Sequence, residues 1–521
     1  MTSNFRLEIF SVKRMHTIIP ITASFCEIGI LSLAGFVLFR QWDYTFAEAA
    51  AYAIITMLMA LSFIFQTAFI IGIPALSLKA EVILCLMAVI ILISLRGHLI
   101  MGGNILKNFA TAYPGACMAL FTACCYLLIR GILLSPMSSH WDGLGSILSF
   151  RQHGNFFAFP KGDDVLFPVN HIVLTHLILR LNTEFGMGIL GFMAYLSIGF
   201  STYALARRYS WPPTAFIVTM VVMSMPRLVC QAVSPGDEII PAAVSLFCFL
   251  GISRSVEQPN IKDLLLLTLG ILFGISSGTT SVVFPVILIL LSCVLFIRRH
   301  GSHIWWTLLT SNKLASVLAL LPGIIFSQCW LFLFNILYRG AWVGSSADSP
   351  PNTDGLQGAL ANFFRYVLES AHFTQPLDLL CQWMMHFRLS AMVQQIYDLF
   401  VWPVFGDWGA AAPFVINWKP DESLSWFGPL AFLLILPAVI YTLIRGHRRI
   451  KAMAVALMGY FYVVTLTTAW MPGNARFFTL FYTCGGFCVA FLLPPWRFTK
   501  RGKQVIQAGS AVLLFYACVC I

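Results

Sequence analysis

Apolar blocks of about 18 to 25 residues recur along this chain from Thr17 to its last residue, the length an α-helix needs to cross the hydrocarbon of a bilayer. Hydrocarbon offers the backbone no hydrogen-bond partners, so a spanning segment is a helix or part of a closed barrel. Barrel strands alternate with period two, whereas these blocks are apolar throughout. Of the 521 residues, 59% are apolar and 10% charged; a soluble protein carries about 25% charged residues. Mean hydropathy is +0.83. A water-soluble, multi-domain chain is excluded, and the expected fold is an all-α polytopic membrane protein.

Spans are expected near 17–39, 48–75, 80–100, 112–134, 186–206, 212–229, 239–252, 263–279, 281–297, 314–338, 427–444, 451–469, 475–494 and 504–521. The stretch 263–297 reads as two short spans or as a pair bent around Gly278; Gly274 and Gly278 have the spacing of close helix packing. The run Thr17 to Phe39 is too long for a signal-peptide core and is expected to stay as a membrane helix. Two long connections divide the chain into N-terminal transmembrane helices (1–135), a first outer loop (136–185), central helices (186–338), a second outer loop (339–426) and C-terminal helices (427–521). Both loops hold aromatics, carboxylates and prolines, a mixture too apolar for disorder, and are expected to contain short amphipathic helices at the membrane surface.

The few charges sort by side. From residue 136 onward, alternate loops carry fifteen basic residues, including Arg207-Arg208, Arg298-Arg299 and Arg448-Arg449, against Glu257 and Asp263. The opposite loops carry fourteen acidic and nine basic residues. Lys and Arg accumulate on the cytoplasmic side, so the long acidic loops are expected to face away from it. The net charge of +11 therefore reports topology, and no nucleic-acid partner is expected. Four spans before residue 136 would place Arg6, Lys13 and Arg14 outside, and the orientation of residues 1–135 stays open. Cys124-Cys125, Cys484 and Cys488 lie in apolar runs and read as packing residues.

Polar groups at the end of a membrane helix are costly to desolvate and tend to serve a site. The first outer loop opens with Ser138-Ser139-His140-Trp141-Asp142-Gly143 and continues to Asp163-Asp164; Asp237-Glu238 lies in the next outer loop, after Pro226-Arg227. Such carboxylates solvate a loop, hold a divalent ion or supply a general base. Asp142 ranks first as catalytic, because it is isolated, tethered to a helix end and beside Trp141. Arg476, in the turn Trp470-Met471-Pro472-Gly473-Asn474-Ala475-Arg476, reads either as a phosphate contact or as a residue snorkelling to the headgroups. Walker, GxGxxG and HExxH motifs are missing.

The run His140 to Leu144, the stretch from Arg207-Arg208 to Pro226-Arg227 and on to Asp237, and the turn Trp470 to Arg476 resemble segments of bacterial GT-C membrane glycosyltransferases related to the protein O-mannosyltransferases and the lipid A aminoarabinose transferases. The resemblance runs in order from about 136 to 494. It implies a GT-C-type bundle of about 13 to 14 transmembrane helices in the cytoplasmic membrane, its active site facing the periplasm or cell exterior. It also implies transfer of a hexose or pentose from a polyprenyl-phosphate donor to a glycan, lipid or protein acceptor. In that setting Asp142 matches the general base. Trp141, Asp163, Asp164, Arg227, Asp237, Glu238 and Arg476 form the expected substrate-binding set, and Asp142 with Asp237 are the candidate ligands of a divalent ion, Mg or Mn. Membrane lipids are the remaining partners.

The competing expectation is a transporter or flippase of a lipid-linked or polysaccharide precursor. Transporters place polar sites near the bilayer midplane, in broken helices related by repeats. No inverted repeat is evident here, and charge inside the spans is sparse, Glu27 and Arg130 being exceptions.

Overall fold

Because the backbone must satisfy its own hydrogen bonds in hydrocarbon, helices carry most of the described residues. The computed structural model describes residues 2–133, 142–157, 169–181, 185–234, 238–278, 282–340, 350–370, 375–416, 427–493 and 500–519. The N-terminal part comprises α1 (Thr2–Gln41), α2 (Phe46–Ile71), α3 (Ala75–Ser94), α4 (Arg96–Ala112) and α5 (Pro114–Leu133). The first long loop holds α6 (Asp142–His153) and α7 (His176–Leu179). The central part has α8 (Gly188–Arg207), α9 (Pro212–Met223), α10 (Pro226–Gln231), α11 (Ile239–Glu257), α12 (Ile261–Ile275), α13 (Val283–His300), α14 (His303–Ser311), α15 (Lys313–Ser327) and α16 (Cys329–Arg339). The second long loop holds α17 (Gly355–Ser370), α18 (Gln375–Met385), α19 (Leu389–Ile396) and α20 (Trp402–Phe405). The chain continues through α21 (Leu436–Arg445), α22 (Arg448–Thr467), α23 (Thr479–Gly485), α24 (Val489–Leu492) and α25 (Lys500–Val519).

The all-α polytopic architecture is the expected one. Among the described residues nine helices are long and apolar enough to cross a membrane, and Pro212–Met223, Ala431–Arg445 and Arg476–Leu492 are shorter apolar helices. The remaining two expected spans fall on α12 and α25. The stretch 263–297 is two separate helices, and the Cβ that Gly274 lacks would stand 3.3 Å from Pro285, the close packing its spacing suggests. Both long loops are partly helical, as expected.

Ion pairs gather one set of helix ends. Glu48, at the start of α2, pairs with Arg208 beyond α8 and with Arg254 of α11 at 3.1 Å. Arg208 also reaches Glu257 at 2.5 Å and Arg254 reaches Asp263 at 3.4 Å, while Tyr44 donates to Asp263 and lies under the Arg254 guanidinium. This is the basic face. At the opposite, acidic face, Gly188 meets the Val233 carbonyl and Gly131, and the Gly186 N–H donates to the Ile132 carbonyl.

These contacts settle the first 135 residues relative to the two faces. Ile21 lies against Gly186 at the acidic face and α1 ends beside Tyr44 at the basic face, so α1, α2, α3 and α5 make four passes. The fifth helix, α4, departs from the expected pattern: the spans read as 80–100 and 112–134 leave no room for it. Its Gly102 packs on Phe36 and Phe46, which holds it along the basic face between the ends of α3 and α5. His98, Asn104, Lys107 and Asn108 interrupt its apolar residues, the composition of a helix lying at an interface.

The first long loop is pinned by a buried amide knot. Asn170 accepts from Gln66 and Gln328, each at 2.8 Å, and donates to the Phe273 and Phe326 carbonyls, each at 2.9 Å. Gln328 sits between α15 and α16 at φ +49, and its side chain also accepts the Val169 N–H at 2.9 Å. The break in the span Lys313–Tyr338 is thus compensated by side chains. Where α8 crosses the turn after α10, Gly191 is required: a Cβ there would stand 2.4 Å from the Gln231 carbonyl and 2.7 Å from that of Ser234. Gly191→Ala should lower the melting temperature of the purified protein by several degrees, corresponding to about 1–3 kcal/mol of overpacking. Gly97→Ala, with nothing within 4 Å of its Cβ, should leave it unchanged or raise it.

Candidate functional site

The acidic face gathers residues from three chain segments. Pro226 occupies the first turn of α10, where its missing N–H costs nothing, and the helix carries Arg227 and Gln231 four residues apart on one side. Glu238 precedes α11 and Arg476 follows the turn after α22. Glu238 receives a hydrogen bond from Gln231 at 2.6 Å, pairs with Arg227 at 3.3 Å and meets Arg476 at 3.7 Å. Arg227 is buried, 4% exposed, while Arg476 is 35% exposed. Thr479 ties the halves together, accepting from Arg227 at 3.1 Å and donating to the Arg476 carbonyl at 2.7 Å. Two guanidinium groups thus close on one carboxylate, a site an anion can enter by displacing that carboxylate from the more exposed Arg476.

The second long loop sets the turn that bears Arg476. Trp470 bonds to both sides of Ala410 (Ala411 N–H to Trp470 carbonyl and Trp470 N–H to Gly409 carbonyl, each 2.8 Å), and the Ala469 N–H donates to the Pro350 carbonyl at 2.9 Å. Trp470, fully buried, donates its indole N–H to Glu369 at 3.1 Å. The loop itself is fastened by Arg365, wholly buried, which donates to the Trp408 carbonyl at 2.6 Å, the Gly406 carbonyl at 2.5 Å and the Asn362 side chain at 2.9 Å.

Of the residues expected from sequence, Arg227, Glu238 and Arg476 come together. Asp142 opens α6, and its side chain, with Trp141, Asp163, Asp164 and Asp237, lies outside the described residues. The expected metal ligands Asp142 and Asp237 are both in that group. Among the described residues no cluster of three His, Cys, Asp or Glu side chains stands ready for a metal. Sequence reasoning missed Gln231 and Thr479; the four-residue spacing from Arg227 marks the first, while nothing in the sequence marks the second.

A second polar group lies inside the spans. Arg180, just after α7, pairs with Glu27 of α1 at 2.9 Å and with Glu81 of α3, beside a small cleft of about 200 Å³ lined by Val82, Leu86 and Val89. Glu27, noted from sequence as an intramembrane charge, is therefore paired. Next to it on the first long loop, His176 stacks edge-on against Phe65 and Phe69, with centroids 5.2 and 5.1 Å away. Burial, with Arg151 and Arg180 nearby, pushes its imidazole down to about 4.

No protein-family model matches this chain, no curated protein matches its sequence and no solved structure matches its fold.

Two outcomes are expected. Removing the carboxylate with Glu238→Ala should cost about 3 kcal/mol in unfolding measurements, since it takes a carboxylate from the buried Arg227 charge, whereas Arg476→Ala should cost about 0–1 kcal/mol. For His176 the unfolded imidazole protonates near 6.5 and the folded one near 4. Its contribution is full above about pH 6.5 and lost as the pH falls toward 4, because the unfolded state binds the proton first. Melting curves between pH 7 and 5 should show this loss, and His176→Gln should reduce it.

Proposed function

We propose that this chain is an integral membrane glycosyltransferase of the cytoplasmic membrane, moving a sugar from a polyprenyl-phosphate donor to a glycan, lipid or protein acceptor on the non-cytoplasmic side. The supporting observation is the convergence of Arg227, Glu238 and Arg476 at the acidic face. Arg476 lies far in sequence from Arg227 and Glu238, and the three fall in or beside the segments whose order resembles the GT-C enzymes. Assigning the acidic face to the outside rests on the excess of Lys and Arg opposite.

In this reading the acceptor hydroxyl gives its proton to Asp142 as its oxygen attacks the anomeric carbon. The bond from that carbon to the phosphate oxygen breaks, and polyprenyl phosphate leaves with both bonding electrons. The charge developing on the leaving group is met by Arg476 and, behind it, Arg227, which Glu238 and Gln231 hold in place until the phosphate arrives. A divalent ion at Asp142 and Asp237 would supply further positive charge to that phosphate.

With purified protein, labelled polyprenyl-phosphate sugar and membrane acceptor, Asp142→Asn should lower transfer by about 10²–10⁴-fold without changing the melting temperature. Arg476→Ala should lower it too, with partial recovery in Arg476→Lys. Unchanged transfer in Asp142→Asn would sink the assignment. The flippase reading is favoured by one observation, the Glu27–Arg180–Glu81 group among apolar helices. It expects the opposite pattern, with Glu81→Gln impaired in moving a labelled lipid across a vesicle and Asp142→Asn intact.

A further inference from the structure

A large cavity is on the other side of the molecule from these groups. It measures about 950 Å³ and opens on the basic face between the α1–α2 connection, α4, α5, α8 and α9. Its depth is apolar: Ile105, Leu106 and Phe109 of α4 face Leu120, Phe200 and Met220. Leu106 is 56% exposed, so in a bilayer this wall is continuous with the hydrocarbon. Gly199 and Met223 line it as well, and a Cβ at Gly199 would come 2.5 Å from the Met223 sulfur. The mouth is charged, with Asp43, Glu48, Arg207, Arg208, Arg254 and Glu257 around it.

Most of those charges cancel within the protein. Glu48 is shared by Arg208 and Arg254, Arg208 holds Glu257 as well, and Arg254 reaches Asp263. Two groups are left over. Arg207 donates to the Ser210 carbonyl at 2.8 Å and pairs with no carboxylate among the described residues. The carboxylate of Asp43, a residue exposed and at φ +60, takes no hydrogen bond or ion pair among them. One cation and one anion, both unpaired, thus flank the mouth of an apolar cavity open to the membrane.

We infer that this cavity binds a zwitterionic phospholipid of the basic-face leaflet, with its phosphate at Arg207, its ammonium at Asp43 and a hydrocarbon chain between α4 and α9. A headgroup of both signs complements what is unpaired. A lipid phosphate monoester, all negative, brings no cation for Asp43 and meets Glu48 and Glu257 as well; an uncharged glyceride leaves both groups unpartnered. The surface helix α4, otherwise without a role, forms the bilayer-side wall of the site. This inference is independent of the transfer reaction and needs only that the chain spans a membrane.

The test is native mass spectrometry of the full chain in detergent, offered an equimolar mixture of phosphatidylethanolamine, phosphatidylglycerol, polyprenyl phosphate and diacylglycerol. Phosphatidylethanolamine should be retained in preference. Arg207→Ala should lower its retention about tenfold, equivalent to roughly 1.4 kcal/mol. Asp43→Asn should remove the preference over phosphatidylglycerol, and Leu106→Trp, filling the apolar depth, should lower retention of every lipid. Melting temperature checks that each variant is folded; neither Asp43 nor the exposed Leu106 side chain supports the fold. Preferential retention of polyprenyl phosphate or diacylglycerol, or phosphatidylethanolamine retention unchanged in folded Arg207→Ala and Asp43→Asn, overturns the inference.

Discussion

Hydrocarbon cannot hydrogen-bond, and every polar group this chain carries into the membrane must therefore find its partner in the protein. The structure meets that demand in four places: the Asn170 amide knot under the first long loop, the Arg180 triad with Glu27 and Glu81, the Glu48–Arg208–Arg254–Asp263 group at the basic face, and the Arg227–Glu238–Arg476 group at the acidic face. Each joins segments that are remote in sequence, so the polar groups fix which helix ends meet while apolar packing supplies the bulk of the contact. A buried ion pair is a weak source of net stability, and removing one partner is strongly destabilising; register between helices is where these groups act.

The two faces are built differently. At the basic face, short connections hold helix ends directly by ion pairs, leaving a lipid-open cavity between α4 and the bundle. At the acidic face the long loops intervene. The second of them, fastened by buried Arg365, grips Trp470 and so presents Arg476 toward Glu238. A phosphate site needs such a fixed cation, because an Arg free to reorient gains little from one more anion. The reaction proposed here depends on that rigidity as much as on Asp142.

How far the sequence disclosed this follows from the range of each interaction. The spans were legible because each is a local run of apolar residues, and the two faces because Lys and Arg cluster loop by loop. Helix α4 was not, since His98, Asn104 and Lys107 break its apolar run and its place depends on Phe36 and Phe46, more than fifty residues earlier. Arg227, Glu238 and Arg476 were legible as candidates from their positions at helix ends, but their convergence depends on packing between α10, α11 and α23. Thr479 had no local signature, and neither did the lack of a charged partner at Arg207 and Asp43. The carboxylates Asp142, Asp163, Asp164 and Asp237 remain candidates from sequence and resemblance alone.

Under the proposed function this chain consumes a lipid-linked sugar. The most direct measurement is the pool of polyprenyl-phosphate sugars, by mass spectrometry, in cells lacking the chain against cells that have it. The proposed transfer predicts that one such lipid accumulates and that one envelope glycan loses the corresponding sugar. Unchanged donor pools together with unchanged glycans would contradict it.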